Sequence, residues 1–528
     1  MKLATKLSPL LLTSFLASAA SVAAQSPEFT ARTAAGGPIK SVTWTLLAEP
    51  ASLDPAQSNE VNINTVLANL CDQLFVIDAD FKVQNWLAKS VEQPDSRTYV
   101  YKLRTDARFW DDTPVTAEDV AFSLSRNLDP SVKSRWARYY VNVDKIEVVD
   151  PETVKVSLKQ PDVLFGSAMA TAASAVLKKS HVEANNNVIG TKQVRPMCSG
   201  PFKLTAWNSG VSMVMEKNQT YWNTGHAAKA ERFEFRFIPD AAAQVNSLLT
   251  GQTQGTYNPT GTVIAALRRA ASGQFYFGRS FLTYQLVPNK RADDTPLLAN
   301  EDARQALSLA VDRKAIAERI FAGTVVPSVS PVPSAAFGGA TDVPVPPIDL
   351  DKAKALMAKA GALPRPLVLA YPARADQELM ATIIMDAGRK IGLPIELKAV
   401  PIDQFIASLF DPKLRQYDMV MMNKNINMPD PLDFYAVFAQ PPSGPKFAPL
   451  NFNHYENDLI DKARSTIDDG ERLRLVRSIN DRFIGEKAWI PLIEFANTLY
   501  MDKSITGATA SYNFSSYPWA TDVGAAGK

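Results

Sequence analysis

Side chains placed for covalent chemistry are scarce in this 528-residue chain. There is no G-x-S-x-G nucleophile elbow, no H-E-x-x-H zinc helix and no G-x-x-x-x-G-K-[ST] phosphate loop. Ser443 and Lys446 have the S-x-x-K spacing of a serine acyl-enzyme. That mechanism needs the lysine one helical turn beyond the serine. Gly444 and the neighbouring prolines work against a helix there, so the spacing is a coincidence. The histidines His181, His226 and His454 lie far apart and show no metal-ligand spacing. Neither a metal nor a cofactor is expected.

The stretch better suited to chemistry is non-covalent. Tyr417 to Met422 reads as a buried strand. Polar residues follow it at once: Asn423, Asn425, Asn427, Asp430 and Asp433. In an α/β lobe, ligands meet the loops beyond the carboxyl ends of the strands. The elements around this stretch supply such a lobe. Helix, strand and helix alternate from Leu350 to Met422, with Gly361 and Gly392 ending the helices before them. The strands are centred on Ile395 and on Tyr417 to Met422. That alternation argues for βα units and a sheet covered by helices. A helix pair over 458–484 and a strand from Ile490 to Leu499 complete the C-terminal part.

Earlier elements are equally legible. Val42 to Leu47 reads as a buried strand, and Asn64 to Phe75 as a helix with Val66, Leu67, Leu70 and Leu74 on one face. Ile146 to Leu158 reads as a hairpin turning at Asp150-Pro151. From Leu103 to Pro130 the instruction is most complete. Tyr99, Tyr101 and Leu103 alternate on one strand face. Thr116 and Asp119 then have capping-box form. Ala117, Val120, Ala121, Leu124 and Leu128 make a helical stripe, which Asp129-Pro130 stops.

Composition bounds the rest. Apolar residues are 46% and charged residues 21%, enough for a true core, and the length suits about three domains. Lys2 and Lys6, the apolar run Leu10–Leu16 and the small residues Val22-Ala23-Ala24 read as a secretory signal cut after Ala24. No cysteine follows that cut, so no lipid anchor is expected. Removing residues 1–24 removes two lysines and no acids, taking the net charge from +2 to 0. A neutral chain argues against a nucleic-acid partner. Cys71 and Cys198, both meeting an oxidising compartment after export, are either one bridge or two buried thiols.

Several of these stretches carry a family resemblance. Phe109, Pro114, Thr116, Ala117, Asp119, Val120, Ser123 and Arg126 resemble the FxDGxPxTAxDVxxSxxR segment of the extracellular solute-binding proteins of family 5, the peptide, nickel and opine-type receptors of ABC importers. Asp112 replaces the glycine of that segment. Glu49 to Pro55 resembles the family's EPxxLDP turn. Cys198 to Leu204 resembles its GTGPYxL, with cysteine for the first glycine, and Asn218, Tyr221 and Trp222 resemble its NxxYW. Asp302 to Arg313 resembles its xVRxALxxAIDR.

The resemblance implies an α/β, two-lobe periplasmic-binding-protein fold of class II, cluster C type, with an extra inserted subdomain. It implies lobe I over 38–80, 197–282 and 494–528, the insert over 81–196, and lobe II over 283–493, after a leader at 25–37. The crossings near 282 and 494 would form a hinge, and the helix after Thr116 would pack the insert away from lobe II. Both cysteines fall in one lobe, which favours a bridge. A monomer would close over a small molecule or short peptide and deliver it to an inner-membrane permease, powered by a separate ATPase. The implied ligand contacts are Glu49, Ser199, Tyr257 and Asn258 from lobe I. From lobe II they are Arg374, whose planar fork suits a carboxylate, and Asn423, Asn425, Asn427 and Asp430. When the ligand is a peptide, the family places an acid for the amino group in the loop where this chain has asparagines. The other readings are an exported hydrolase with an unfamiliar site, and a sensor or chaperone working without a transporter.

Overall fold

Alternating Val42, Trp44 and Leu46 are all fully or nearly buried, and they make Ile39–Leu46 the central strand of a seven-stranded sheet. The computed structural model describes residues 32–58, 61–270, 272–288, 296–339, 343–361, 365–410, 417–438, 457–510 and 515–527. Residues 1–24, expected to be a secretory signal, Ser443 to Lys446 and His454 lie outside them. Ile39–Leu46 runs parallel to Ala230–Phe237 on one side and to Gly255–Tyr257 on the other. Antiparallel strands Ser212–Lys217 and Phe202–Asn208 extend one edge, and Asn497–Asp502 and Gly273–Gly278 the other.

A second, six-stranded sheet carries the alternating βα units. Leu367–Pro372 pairs in parallel with Ile395–Val400 and with Met419–Asn425, and helices Ala375–Lys390 and Ile402–Phe410 connect them. Leu282–Pro288, Ile490–Phe495 and Val325–Pro327 complete it antiparallel. A third sheet of four antiparallel strands spans Ala88–Asp95, Thr98–Leu103, Thr153–Leu158 and Val143–Asp150. Each sheet has helices on it and a core of its own, except that the core of the small sheet runs on into the helices near Phe434, Ala463 and Val476.

The helix Ala117–Ser125 is capped as its sequence asks. Thr116 Oγ1 accepts from the Asp119 amide, and Asp119 Oδ2 accepts from the Thr116 amide at 3.0 Å. The preceding turn is made without glycine because Asp112 itself adopts φ 64°, a conformation that a short polar side chain tolerates. The other polar residues of the motif reach outward. Asp119 Oδ1 accepts from the Lys179 amide at 2.9 Å, and Ser123 Oγ from the Leu177 amide at 3.0 Å. Arg126 grips Asp54 with two parallel bonds of 2.8 Å, both side chains buried. The helix therefore packs on the small sheet and is also riveted to the EPxxLDP turn of the seven-stranded lobe. Leu128, expected on the apolar stripe, lies beyond the helix in the turn before Asp129-Pro130 and is 43% exposed.

One helix differs from expectation. It runs from Val61 to Leu70, and Phe75–Ile77 is a strand paired with Val83–Asn85. The helix stops at Leu70 because the next two residues are both committed elsewhere. Cys71 forms a disulfide with Cys198, 127 residues on. Asp72 is caged by four neutral donors: Trp86 Nε1 at 2.8 Å and Ser199 Oγ, Tyr221 OH and Trp222 Nε1 at 2.9 Å. Burial pushes this carboxyl upward while the donors hold it down. Gly200 follows because a Cβ there would meet the Leu70 carbonyl at 2.3 Å.

Breaking a buried pair leaves a charge uncompensated, whereas losing a cap leaves one amide to water. Arg126→Met should therefore cost about 3–5 kcal/mol and Thr116→Ala about 1 kcal/mol in urea unfolding. Equal losses for the two variants would mean that the Asp54–Arg126 pair is solvated.

Candidate ligand-binding cleft

The large sheets are joined by two chain crossings that lie side by side. Strand Gly273–Gly278 belongs to the first sheet and Leu282–Pro288 to the second, with Arg279-Ser280-Phe281 between them. Asn497–Asp502 and Ile490–Phe495 make the return crossing, with only Ala496 between them. The crossings bind each other: Asn497 Nδ2 donates to the Arg279 carbonyl at 2.8 Å, and Ser280 Oγ to the Phe495 carbonyl at 2.5 Å. A ribbon so narrow, pairing antiparallel on both sides, suits a hinge.

Against this ribbon lie two adjoining chambers of about 250 and 280 Å³. Val61, Tyr257, Asn258, Leu282 and Asn423 line both and make them one cleft between the lobes. Tyr257 and Asn258 are positioned by the return crossing. The Tyr257 hydroxyl donates to Asn497 Oδ1 at 3.2 Å. Asn258 exchanges two bonds with the Thr498 backbone, through its amide at 2.7 Å and its Oδ1 at 2.8 Å, and holds φ 44°. Across the cleft, Asn423 and Asn425 sit opposite Tyr284 and Leu282 in the second sheet. They were expected in a loop after Met422. The strand instead runs to Asn425, because these residues keep their ladder pairing while their side chains face the cleft.

The structure thus brings together Tyr257, Asn258, Asn423, Asn425 and Asn427 around the first chamber, and Arg374 with Tyr257, Asn258 and Asn423 around the second. Arg374 is held sideways. Its Nε lies 3.3 Å from Asp376 Oδ1, which leaves both terminal nitrogens of the fork without a partner among the described residues.

Three expected contacts are elsewhere. Ser199 is fully buried and donates to Asp72. Glu49 accepts from Trp207 Nε1 and from the Gly210 amide at 2.8 Å, away from both chambers. Asp430 is buried, accepts from the Leu432 amide at 2.9 Å and pairs with Arg472. The acid near the DP pair is a turn anchor, because its charge is already met by a guanidinium inside the lobe. Asp433 has a similar fate: it takes the Asn427 amide at 2.7 Å, the Tyr139 hydroxyl and Arg138 at 3.1 Å. Asn64, Asn497 and Asp376 were not expected at the cleft. Asn64 had a helical-face signal only, and Asp376 is the acid beside Arg374 in the same short segment.

Among the described residues no group of three histidine, cysteine, aspartate or glutamate side chains could hold a metal, and no helix is long and apolar enough to cross a membrane. A family model for bacterial extracellular solute-binding proteins, family 5 Middle, matches residues 82–445. The chain belongs to that family. Among relatives of this family 5 protein, the glutathione-binding protein GsiB of Escherichia coli strain K12 is 26% identical over 481 residues, 86% of this chain and 89% of the relative. The ABC transporter substrate-binding protein CtaP of Listeria monocytogenes superposes with TM-score 0.82 at 21% identity, over 93% of this chain and 99% of that one. The binding protein AgaA from A. tumefaciens R10, solved with agropinic acid, superposes with TM-score 0.77 at 25% identity, over 92% and 99%. The fold is the two-lobe periplasmic-binding-protein fold, and the protein is an ABC-transporter substrate-binding protein. The family and the relatives are binding proteins rather than enzymes.

Two residues before the return crossing, Glu494 is 7% exposed and accepts from the Ser334 amide at 2.9 Å and its Oγ at 2.8 Å. Burial pushes its carboxyl up to about 7, against the downward pull of Ser334. A raised acid binds its proton more tightly in the folded state than in the unfolded one. The associated stability is complete below the ordinary value of 4.5 and is lost as the pH rises through about 7. Glu494→Gln should remove about 3 kcal/mol of that fall, measured as the wild-type-minus-variant difference in unfolding free energy from pH 4 to 8. A difference independent of pH would show that folding does not raise the Glu494 carboxyl.

Proposed function

We propose that this family 5 protein works in the periplasm as the monomeric receptor of an importer for a peptide or peptide-like small solute. The leader is cut after Ala24, no lipid anchor follows, and the closed form hands its solute to an inner-membrane permease driven by a separate ATPase. It captures and releases the solute unchanged. The observation that carries this reading is the cleft itself, two chambers enclosed between lobes whose sheets are linked by the paired crossings at 279–281 and 496. Closing such a cleft buries a small solute on all sides. The curated relatives bind glutathione, and a neighbour was solved with agropinic acid; both ligands support a compact polar solute.

The second chamber supports a carboxylate on that solute. Arg374 presents its fork there with Asp376 holding Nε, and an arginine fork takes a carboxylate by two parallel bonds. The helix Gly261–Arg268 begins at the same chamber, and Thr260 gives it no side-chain cap, so amides at its start favour negative charge.

Native mass spectrometry of the purified protein should show a small solute bound. Adding a di- to pentapeptide ligand at 100 times its dissociation constant should stabilise the fold by roughly 2.7 kcal/mol. Arg374→Ala should weaken a carboxylate-bearing ligand about 10- to 100-fold and leave unfolding of the free protein unchanged. No thermal shift with any peptide at millimolar concentration would overturn the peptide reading.

A further inference from the structure

The first chamber differs in chemistry from the second, and we infer that it recognises an uncharged, hydroxyl- or amide-bearing body of the solute and does not read a free ammonium group. This rests on the solute-capture reading above and deepens it. The key residue is Asn64, on the helix Val61–Leu70. It is 6% exposed and lines the chamber, and its Oδ1 is buried without a hydrogen-bond partner. Native proteins seldom leave a buried carbonyl unpaired, so such an atom on a side chain that lines a binding chamber calls for a donor from the ligand.

The neighbouring amides share the work unequally. Asn258 has spent its carbonyl on the Thr498 amide and its nitrogen on the Tyr257 hydroxyl, so it is a fixed part of the wall. Asn427 has spent its nitrogen on the Tyr139 hydroxyl at 3.1 Å and on Asp433 at 3.3 Å, so its carbonyl is left. The side chains of Asn423 and Asn425 make no hydrogen bond to any described residue and offer both groups. The chamber thus presents donors and acceptors together. A hydroxyl or an amide also gives and takes, and matches such a wall. An ammonium group offers donors only, and burying its charge against neutral amides costs far more than they return.

The surrounding charges act in the same direction. Lys424 lies between Asn423 and Asn425 on the strand, so its side chain is on the opposite face from theirs, and its ammonium is in the field of Asp433 and Arg138. The acid of that group, Asp433, is already bonded to Arg138, Tyr139 and Asn427. The chamber is closed on one side by Phe81 and Phe281, whose ring centroids are 4.5 Å apart, an apolar wall for the carbon face of the body. Two ligand sources share this chemistry: an N-blocked peptide and a polyhydroxylated carboxylate.

Isothermal titration with trialanine, N-acetyl-trialanine and gluconate separates the possibilities. We expect N-acetyl-trialanine or gluconate to bind at least tenfold tighter than trialanine, and which of the two leads assigns the source. Asn64→Ala should weaken the tighter probe by roughly fivefold without lowering the melting temperature of the free protein. Asn64→Asp should move the preference toward trialanine. Trialanine binding as tightly as its acetylated form, or an unchanged affinity in Asn64→Ala, would overturn the inference while leaving solute capture standing. Failure of all three probes, together with no co-purifying solute, would instead overturn the capture reading and this inference with it.

Discussion

Everything in this molecule turns on two strands that change sheets side by side. Gly278 pairs with Asn497 in one sheet, Thr283 pairs with Glu494 in the other, and only short links separate the two registers. An extended pair can bend between sheets because each half keeps its own ladder while the links carry the change of direction. The links are not loose. The backbone carbonyls of Arg279 and Phe495 are both satisfied by side chains of the opposite crossing, Asn497 and Ser280. The cleft sits directly on this ribbon, so the same residues that permit closure also shape the walls. Ser280, Phe281 and Asn497 line the first chamber, and Phe495 and Ala496 line the second.

A hinge is useful only if the bodies beside it are stiff. Lobe I gains that stiffness from buried polar joints as well as from apolar packing. The Asp72 cage collects one side chain from each of Trp86, Ser199, Tyr221 and Trp222, next to the Cys71–Cys198 bridge. The Asp54–Arg126 pair then fixes the capped helix of the insert to the same lobe. The four-donor Asp72 cage and the two-bond Asp54–Arg126 pair specify one arrangement, because every alternative leaves a donor or a charge unpaired.

The insert also touches lobe II, on the far side of the cleft. Asp162 takes Arg464 at 2.8 Å through Nε, and Asp433 takes Arg138 at 3.1 Å. Asn427 links this seam to the first chamber, since its nitrogen reaches Tyr139 while its carbonyl is left for the cleft. A neutral chamber wall is thus set by charged neighbours that satisfy each other behind it.

The family and the fold class could be read from the chain because they depend on local instructions: the capping box at Thr116 and Asp119, the βα alternation after Leu350, and short motifs in a fixed order. Arg374 and the asparagines of 423–427 could be placed near the cleft because one precedes a helix and the others lie at or beyond the end of a strand, whereas Tyr257 and Asn258 were placed there by the resemblance. The errors share one cause. Ser199, Glu49 and Asp430 have the chemistry of ligand contacts, but their partners are Asp72, Trp207 and Arg472, each distant in sequence. The helix at Val61 stops at Leu70 because a cysteine 127 residues away claims Cys71. Asn64 carries no signal of its own, since a polar residue on a helix is ordinarily turned to water. Which polar atoms are spent inside the protein, and which are left for a solute, is a balance of long-range hydrogen bonds. Local sequence determines the elements and their capping; only the tertiary structure decides that balance.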